Sequence, residues 1–454
     1  MILKRGLAYT RRPRAAIRML RLSWVLLLFI GEVGLYYWHI SRCQWPTNGT
    51  KGTNISQVAI IADPQIVDHY SYGQSGLLLR ITQFFTDIYI RKSYLLLQDI
   101  RSPATVIFLG DLMDGGREWD DSAWLSEYHG RYQSIFSNRD PANRRVYDMA
   151  GNHDIGIGNT IIPEALQRFH RYVGPTNQVI DVGGHSIVLL DTLTLESDDP
   201  VVSSSSRHLV QWLQDERIED GSVLPRLLFT HVPMWRPDKT PCGSLRQSKH
   251  PYLLNRRGYQ FRDQLFQNTT EHLLDAIQPA AIFSGDDHDT CTVEHQIHAT
   301  ERSVPEYTIG AFGWASGVPI ASYGLLTLYH SSQGNQSFIL QHCYLPYQLG
   351  IYKCYASSFA FSLLLLAYAC WCQRKHHWNG SDDERVASGR SDAIEQGWRV
   401  QQQQSLLPTA SSGQYIYPRG IKRRLALDVL RGASSVALVA VPSYIAFILL
   451  FYIV

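Results

Sequence analysis

Five apolar runs along this chain each end in side chains that can hold a metal ion. They are IADPQ at Asp63 and Gln65, FLGDLMDGG at Asp111, MAGNHD at Asn152, His153 and Asp154, FTHVP at His231, and AIFSGDDHDTC at Asp286 and His288. Carboxylate, imidazole and amide oxygen are the donors that hard and borderline divalent cations take. Singly the matches are weak: Asp63-Pro64-Gln65 also reads as a turn whose Asp caps the next segment. GNHD is sharper, because a glycine, an amide oxygen, an imidazole and a carboxylate stand consecutively after an apolar run. Together the ordered runs read as one dinuclear metal site assembled from five loops. Two ions so held activate a bound water for hydrolysis.

Such loops need a rigid frame. Strand-like runs occur at QVAIIAD, ATVIFLGD, RVYDMAGN, SIVLLD, RLLFTH, AAIFSG and YGLLTLYH. Several are continuously apolar, as strands buried on both faces are. Leu77 to Gln98 has apolar residues at helical spacing, with Arg80, Asp87, Arg91 and Lys92 on the other face. Helices crossing between buried strands imply a layered α/β domain whose functional loops lie at the carboxyl ends of the strands.

The ordered set resembles the calcineurin-like metallophosphoesterases, whose pattern runs D-x-H, G-D, G-N-H-D/E, H and G-H-x-H, over Gln57 to Tyr344. The resemblance implies a four-layer α/β/β/α sandwich holding two divalent ions. Asp111 would bridge them. Asp63 and His288, with Gln65 near the usual histidine place, would complete the first ion's shell; Asn152, His231 and Asp286 would hold the second. His153 would stabilise developing charge or protonate the leaving alkoxide, with Asp154 fixing its orientation. Arg117 and Arg236, close in sequence to the motif loops, are candidates for binding phosphate or glycan hydroxyls.

Gln65 stands where the first motif has histidine, and Asp286 where G-H-x-H has its first histidine. Both substitutes offer oxygen, which favours Mn²⁺ or Mg²⁺ over zinc or iron. With GDLMDGGR, TPCGSLR, GDDHDTC and EYTIGAFGW, these changes are similar to a narrower group. These are the fungal cell-division-control phosphoesterases, related to the animal post-GPI-attachment phosphoesterase that trims ethanolamine phosphate from GPI glycans. The resemblance implies a membrane-anchored enzyme of the early secretory pathway, in the endoplasmic reticulum or Golgi, with GPI-anchored proteins or the GPI lipid as substrate.

Charge placement supports a membrane topology independently. Residues 1–21 hold Lys4, Arg5, Arg11, Arg12, Arg14, Arg18 and Arg21 and no acid. Residues 22–40 are then apolar or aromatic apart from Ser23, Glu32 and His39, a length that spans a hydrocarbon core of ~30 Å. Bulky Tyr36, Tyr37 and Trp38 at its end, and no small-residue cleavage site, favour a signal anchor over a cleaved signal peptide. Further spans are expected at 350–372, followed by Arg374, Lys375, His376 and His377, and at 432–454. The positive-inside rule puts the N-terminus in the cytosol, residues 43–346 in the lumen, and 373–428 in the cytosol as a flexible loop rich in polar residues. The lumenal sequons Asn48, Asn54, Asn268 and Asn335 would then be glycosylated and Asn379 would not. An oxidising lumen would let Cys242 pair with Cys291, while Cys43, Cys343 and Cys354 have no assignable partners and Cys370 and Cys372 lie at the cytosolic face.

The net charge of +2 over 454 residues, with no basic stripe in the lumenal segment, argues against a nucleic-acid enzyme. The rival readings are a lumenal phosphoesterase for another phospholipid or phosphoprotein, and a non-catalytic membrane scaffold. The retention of Asp111, Asn152, His153, Asp154, His231 and His288 weighs against decay of the site.

Overall fold

A computed structural model describes residues 11–47, 55–73, 75–137, 139–219, 224–329, 338–396 and 420–452. The sequons at Asn48, Asn54 and Asn335 lie outside them. The chain divides into two compact units, residues 34–349 and residues 1–33 with 350–454.

The larger unit is built on two sheets. The first has strand order β13-β12-β1-β2-β3 and the second β10-β11-β9-β6-β5-β4. In the first, β1 (Ile55–Ile61), β2 (Thr105–Phe108) and β3 (Arg145–Asp148) are parallel, while β12 (Ser322–Tyr329) and β13 (Phe338–Tyr344) complete the sheet antiparallel. In the second, β5 (His185–Leu189), β6 (Arg226–Phe229), β9 (Ala281–Ser284) and β11 (Arg302–Thr308) are parallel, flanked by antiparallel β4 (Gln178–Val182) and β10 (Cys291–Ile297). Every strand-like run read from the sequence falls on one of these strands.

Strand alternation explains the layering. Val58, Ile60, Ile107 and Leu109 of one sheet pack with Ile187, Leu189, Leu227, Phe229 and Phe283 of the other in one fully buried cluster. Phe108, between Ile107 and Leu109, turns the other way and meets Tyr94 on the helix Gly76–Arg101. On the far side, Arg226 of β6 pairs with Glu216 of the helix Pro200–Glu219 at 2.8 Å and donates to the Ile277 carbonyl ending the helix Gln267–Ile277. The result is the four-layer α/β/β/α sandwich. Strands β4, β10, β11 and β13 had no counterpart in the sequence reading; β10 alternates buried and exposed residues and lacks an apolar run.

Among the described residues, three helical stretches are long and apolar enough to cross a membrane: Arg14–Arg42, Gln348–Lys375 and Arg424–Leu449. They overlap the expected spans with shifted ends, the third beginning at Arg424 and ending at Leu449. In the smaller unit these helices meet through polar contacts: Arg21 with Ser435, Trp24 with Ser362, and buried Glu32 with the Tyr355 hydroxyl at 3.0 Å. The expected flexible loop at 373–428 needs correction at both ends, since helix runs from Gln348 to Gln396 and resumes at Gly420. Helical continuation of a span gave no apolar periodicity to read; residues 397–419 lie outside the described set.

Candidate metal centre

The parallel strands deliver their carboxyl ends to one place. Asp63 follows β1, Asp111 follows β2, Asn152 follows β3, His231 follows β6, and Asp286 and His288 follow β9. One ligand atom each from buried Asp63, Asp111 and His231 lie within 4.8 Å of one another. His231 Nε2 is 3.3 Å from Asp111 Oδ1, 3.5 Å from Asp286 Oδ1 and 3.0 Å from Asn152 Oδ1. His231 Nδ1 is 3.8 Å from Asp63 Oδ1, and the Asp286 amide donates to that same oxygen at 3.2 Å. Gln65 Nε2 donates to Asp111 Oδ2 at 2.8 Å.

The backbone is bent to bring these atoms together. Asp63, Gln65, Asp111, Asp286 and His288 all have positive φ, between 37° and 64°. Non-glycine residues rarely adopt this left-handed region, and strain of about 1–3 kcal/mol per residue gathers where function requires it. Two glycines make the approach possible. A Cβ on Gly151 would stand 2.1 Å from Asp111 Oδ1, and one on Gly110 would stand 2.7 Å from His231 Nδ1.

Partners behind the ligands fix which atom each presents. His231 Nδ1 lies 2.8 Å from the Leu109 carbonyl, an acceptor only, so Nε2 faces the carboxylates. His288 is held likewise, Nδ1 against the Ser316 carbonyl at 2.8 Å. Asn152 donates Nδ2 to the Gln260 carbonyl at 2.9 Å, which leaves Oδ1 toward His231.

The donor set fits divalent cations. Asp63 Oδ2 is buried without a hydrogen-bond partner among the described residues, which is costly for a carboxylate unless a cation meets it. Electrostatics agree. Burial, reinforced by Asp111 and Asp286 and opposed by His231, pushes the Asp63 carboxyl well above its usual range. Burial also works against charge on Asp111, but His153 and His231 hold that carboxyl below the usual range. His231 is raised well above an ordinary imidazole: its burial disfavours charge, and Asp111 and Asp286 outweigh it. A cluster that raises the pKa of a buried imidazole against its burial favours positive charge. Asp63, Gln65, Asp111 and His288 would hold one ion, and Asp111, Asn152, His231 and Asp286 the other.

His153 sits beside this cluster, three-quarters buried, with Nε2 3.9 Å from Asp111 Oδ2. Its expected partner Asp154 points elsewhere. Asp154 Oδ2 accepts from the amides of Gly151 and Leu112, and Oδ1 from that of Met113, so it braces the Asp111 loop against the Asn152 loop. Burial and the Asp111 charge lift Asp154 to about 7. The residue that orients His153 is Asp114, whose carbonyl and carboxylate lie 2.5 Å and 3.4 Å from Nδ1. Asp111 and Asp114 overcome the burial penalty and raise the His153 pKa. The acidic residue three places after Asp111 in GDLMDGG was the sequence signal for it.

Neither arginine is free to bind phosphate. Arg236 is buried and pairs with Glu306 at 2.8 Å, donating also to Cys291 Sγ and the Met234 carbonyl. Despite its burial Glu306 stays down at about 2, held by Arg236 and His295. Arg117 is also buried, bonded to the Asn152 carbonyl at 2.9 Å, to Gln260 and to Tyr70. It supports the Asn152 loop. Gln260, at the tip of the hairpin β7–β8 (Arg257–Gly258 and Phe261–Arg262), carried no sequence signal.

Cys242 and Cys291 are disulfide-bonded, and Cys43 pairs with Cys343. Asn268 is exposed near the start of the helix Gln267–Ile277.

Parallel strands presenting carboxylate, imidazole and amide ligands at one edge define a metal-dependent phosphoesterase. The profile of calcineurin-like phosphoesterases matches residues 56–290, and the chain belongs to that family. Cell division control protein 1 of Saccharomyces cerevisiae is 33% identical over 399 residues, covering 83% of this chain and 78% of that protein. Metallophosphoesterase 1 of Xenopus laevis is 26% identical over 414 residues, covering 82% and 96%. A metallophosphoesterase 1 homolog of Caenorhabditis elegans is 24% identical over 297 residues, covering 64% and 76%.

Proposed function

We propose that this membrane protein is a lumenal phosphodiesterase of the endoplasmic reticulum, possessing two divalent ions, Mn²⁺ foremost, and removing ethanolamine phosphate from a mannose of GPI anchors. The observation that carries the reading is the convergence of Asp63, Asp111 and His231 in a chain with three candidate membrane spans. A hydrolytic site in such a chain is suited to a lipid-borne substrate. The basic clusters before the first span and after the second support the lumenal orientation. Oxygen donors at Gln65 and Asp286, where the family pattern has histidine, support a hard ion.

When bound, the ions would supply an activated water and a clamp for the phosphate oxygens. The chain supplies the rest. The water oxygen, having lost a proton to solvent, bonds to phosphorus as the bond from phosphorus to the mannose oxygen breaks, and that oxygen leaves as an alkoxide. His153, whose pKa Asp111 and Asp114 raise against its burial, delivers the proton the alkoxide needs. Asp114 holds the ring, while Asp154 and Arg117 keep the two loops beneath it in register.

Mass spectrometry of GPI glycans from cells with and without the protein tests the substrate. Glycans from deleted cells are expected to retain one additional ethanolamine phosphate on mannose. Identical glycans in both strains would remove the GPI substrate from the account.

A further inference from the structure

The helix Gly76–Arg101 has two very different halves. From Tyr89 onward it is covered by its own domain, with Tyr94 against Phe108 and Phe136. Its first three turns are bare on one face. Leu77 is 74% exposed, Leu78 59%, Ile81 44% and Phe84 39%, with Tyr70 just before them at 45%. From Gly76 to Thr86 the only charged residue is Arg80. A large apolar surface bared to water carries a standing free-energy penalty and marks a site of association.

The same helix points to what covers it. Residues Leu35–Arg42 form the last helical segment of the first candidate span and pack on this helix. Tyr36 meets Tyr89 edge-on at 5.6 Å, and the Lys92 ammonium lies 5.1 Å from the Tyr36 ring centre. Tyr37 and Trp38, beside them, are exposed, as aromatic side chains at a membrane-water boundary are. The segment entering the second candidate span is tied to the same place. Tyr89 donates to the Pro346 carbonyl at 3.0 Å, and Tyr36 to Gln348 Oε1 at 2.6 Å. The middle of the helix is therefore tied to the two segments of this unit, Leu35–Arg42 and Pro346 with Gln348, that lead into candidate spans, and the apolar turns lie on the same helix.

The other face of this half-helix belongs to the metal centre. Thr86 and Ile90 line a cavity of about 150 Å³ together with Asp63, Gln65, Asp114 and His288. Gln83 also donates to the Val67 carbonyl at 3.1 Å, anchoring the loop after Gln65. At 3.6 residues per turn, Leu77, Ile81 and Phe84 stand on the side opposite Thr86.

We propose that Leu77, Leu78, Ile81 and Phe84 form a lipid-inserting face that seats the metal-site cavity at the bilayer surface, with Arg80 reaching the phosphate headgroups. A short apolar helix with a basic residue lies in the interfacial plane in this way. The site would then meet phosphodiesters carried on lipids without drawing them into water. The surface itself rests on the membrane-spanning assignment; its use for a lipid-borne substrate rests on the proposed function.

The test uses the full chain in phosphatidylcholine vesicles with brominated acyl chains. Leu77→Cys and Ile81→Cys are each labelled with bimane in a background where Cys354, Cys370 and Cys372 are replaced by serine. Ser204→Cys, at an exposed position of the helix Pro200–Glu219, is the reference. Severalfold stronger quenching at 77 and 81 than at 204 is expected. Equal quenching overturns the proposal, as does label self-quenching that grows with protein density without lipid quenching, which would mean that a second copy covers the face.

A second measurement keeps native cysteines. Leu77→Ser combined with Ile81→Ser should leave turnover of a soluble phosphodiester unchanged and raise KM severalfold for one carried on a lipid headgroup. Unchanged KM on the lipid substrate would overturn the functional half. Failure of the wild-type enzyme on the soluble diester would instead count against the phosphoesterase chemistry.

Discussion

Around Asp111 the balance of charge sets the behaviour of the site. Asp63, Asp111 and Asp286 surround His231 and, against its burial, raise the pKa of the ring. A cation taking Nε2 competes with the proton that this shift favours, and it competes likewise for the Asp63 carboxyl, which burial raises. Metal affinity is therefore expected to fall as pH drops, approaching about tenfold per pH unit for each proton displaced. Calorimetric titration with Mn²⁺ in buffers of different ionisation enthalpy counts the protons released; release of none would contradict the electrostatics described. The ligands themselves were legible in the sequence because each ends an apolar run in a donor side chain. The roles of their supports were not, even where, as at Asp114, the residue stood inside a motif. Asp114 and Gln260 act through distances of 2.5 Å and 2.9 Å set by tertiary folding, one through its carbonyl and carboxylate, the other through a hairpin that is remote in sequence. Arg236 misled for the converse reason: a charge near a motif in sequence was spent on buried Glu306.

At the level of elements, the loop 242–248 is laced to the strand-end that carries Asp286 and His288. The Cys242–Cys291 bond closes it, Arg246 pairs with Asp287, and Asp289 accepts from the amides of Gln247 and Ser248. The bridge spans a sequence separation of 49 residues, for which the chain-entropy account gives about 4 kcal/mol. Replacing both cysteines by serine should lower the melting temperature by roughly 5–15 °C while the remaining contacts keep the fold. Differential scanning calorimetry checks it, and an unchanged transition would show that the bridge adds nothing to stability. Central strands announced themselves as apolar runs, since strands covered on both faces need no polar side. Edge strand β10 did not, because one face meets water. The helical stretch after Lys375 was equally silent, its residues being polar and without period.

For the whole molecule, the proposed orientation makes Asn268 lumenal and Asn379 cytosolic. Asn268 is exposed and open to modification. Glycosidase digestion should increase the mobility of the protein, Asn268→Gln should remove one step of that shift, and Asn379→Gln should leave it unchanged. Glycan on Asn379 would reverse the topology. The central claim is that a metal cluster organised by Asp111 performs hydrolysis. Asparagine keeps the shape of Asp111 and tolerates its left-handed backbone, φ 51°, while removing the charge between the ions. The most direct measurement is therefore metal content and phosphodiester turnover on the same purified full-length samples of wild type and Asp111→Asn. The account predicts bound divalent metal and turnover in the wild type, and in Asp111→Asn a folded, membrane-inserted protein with depleted metal. Its turnover should be lower by roughly two to three orders of magnitude, the scale of losing one preorganised electrostatic contact. Wild-type turnover in Asp111→Asn, or in wild-type protein stripped of metal by a chelator, would contradict it.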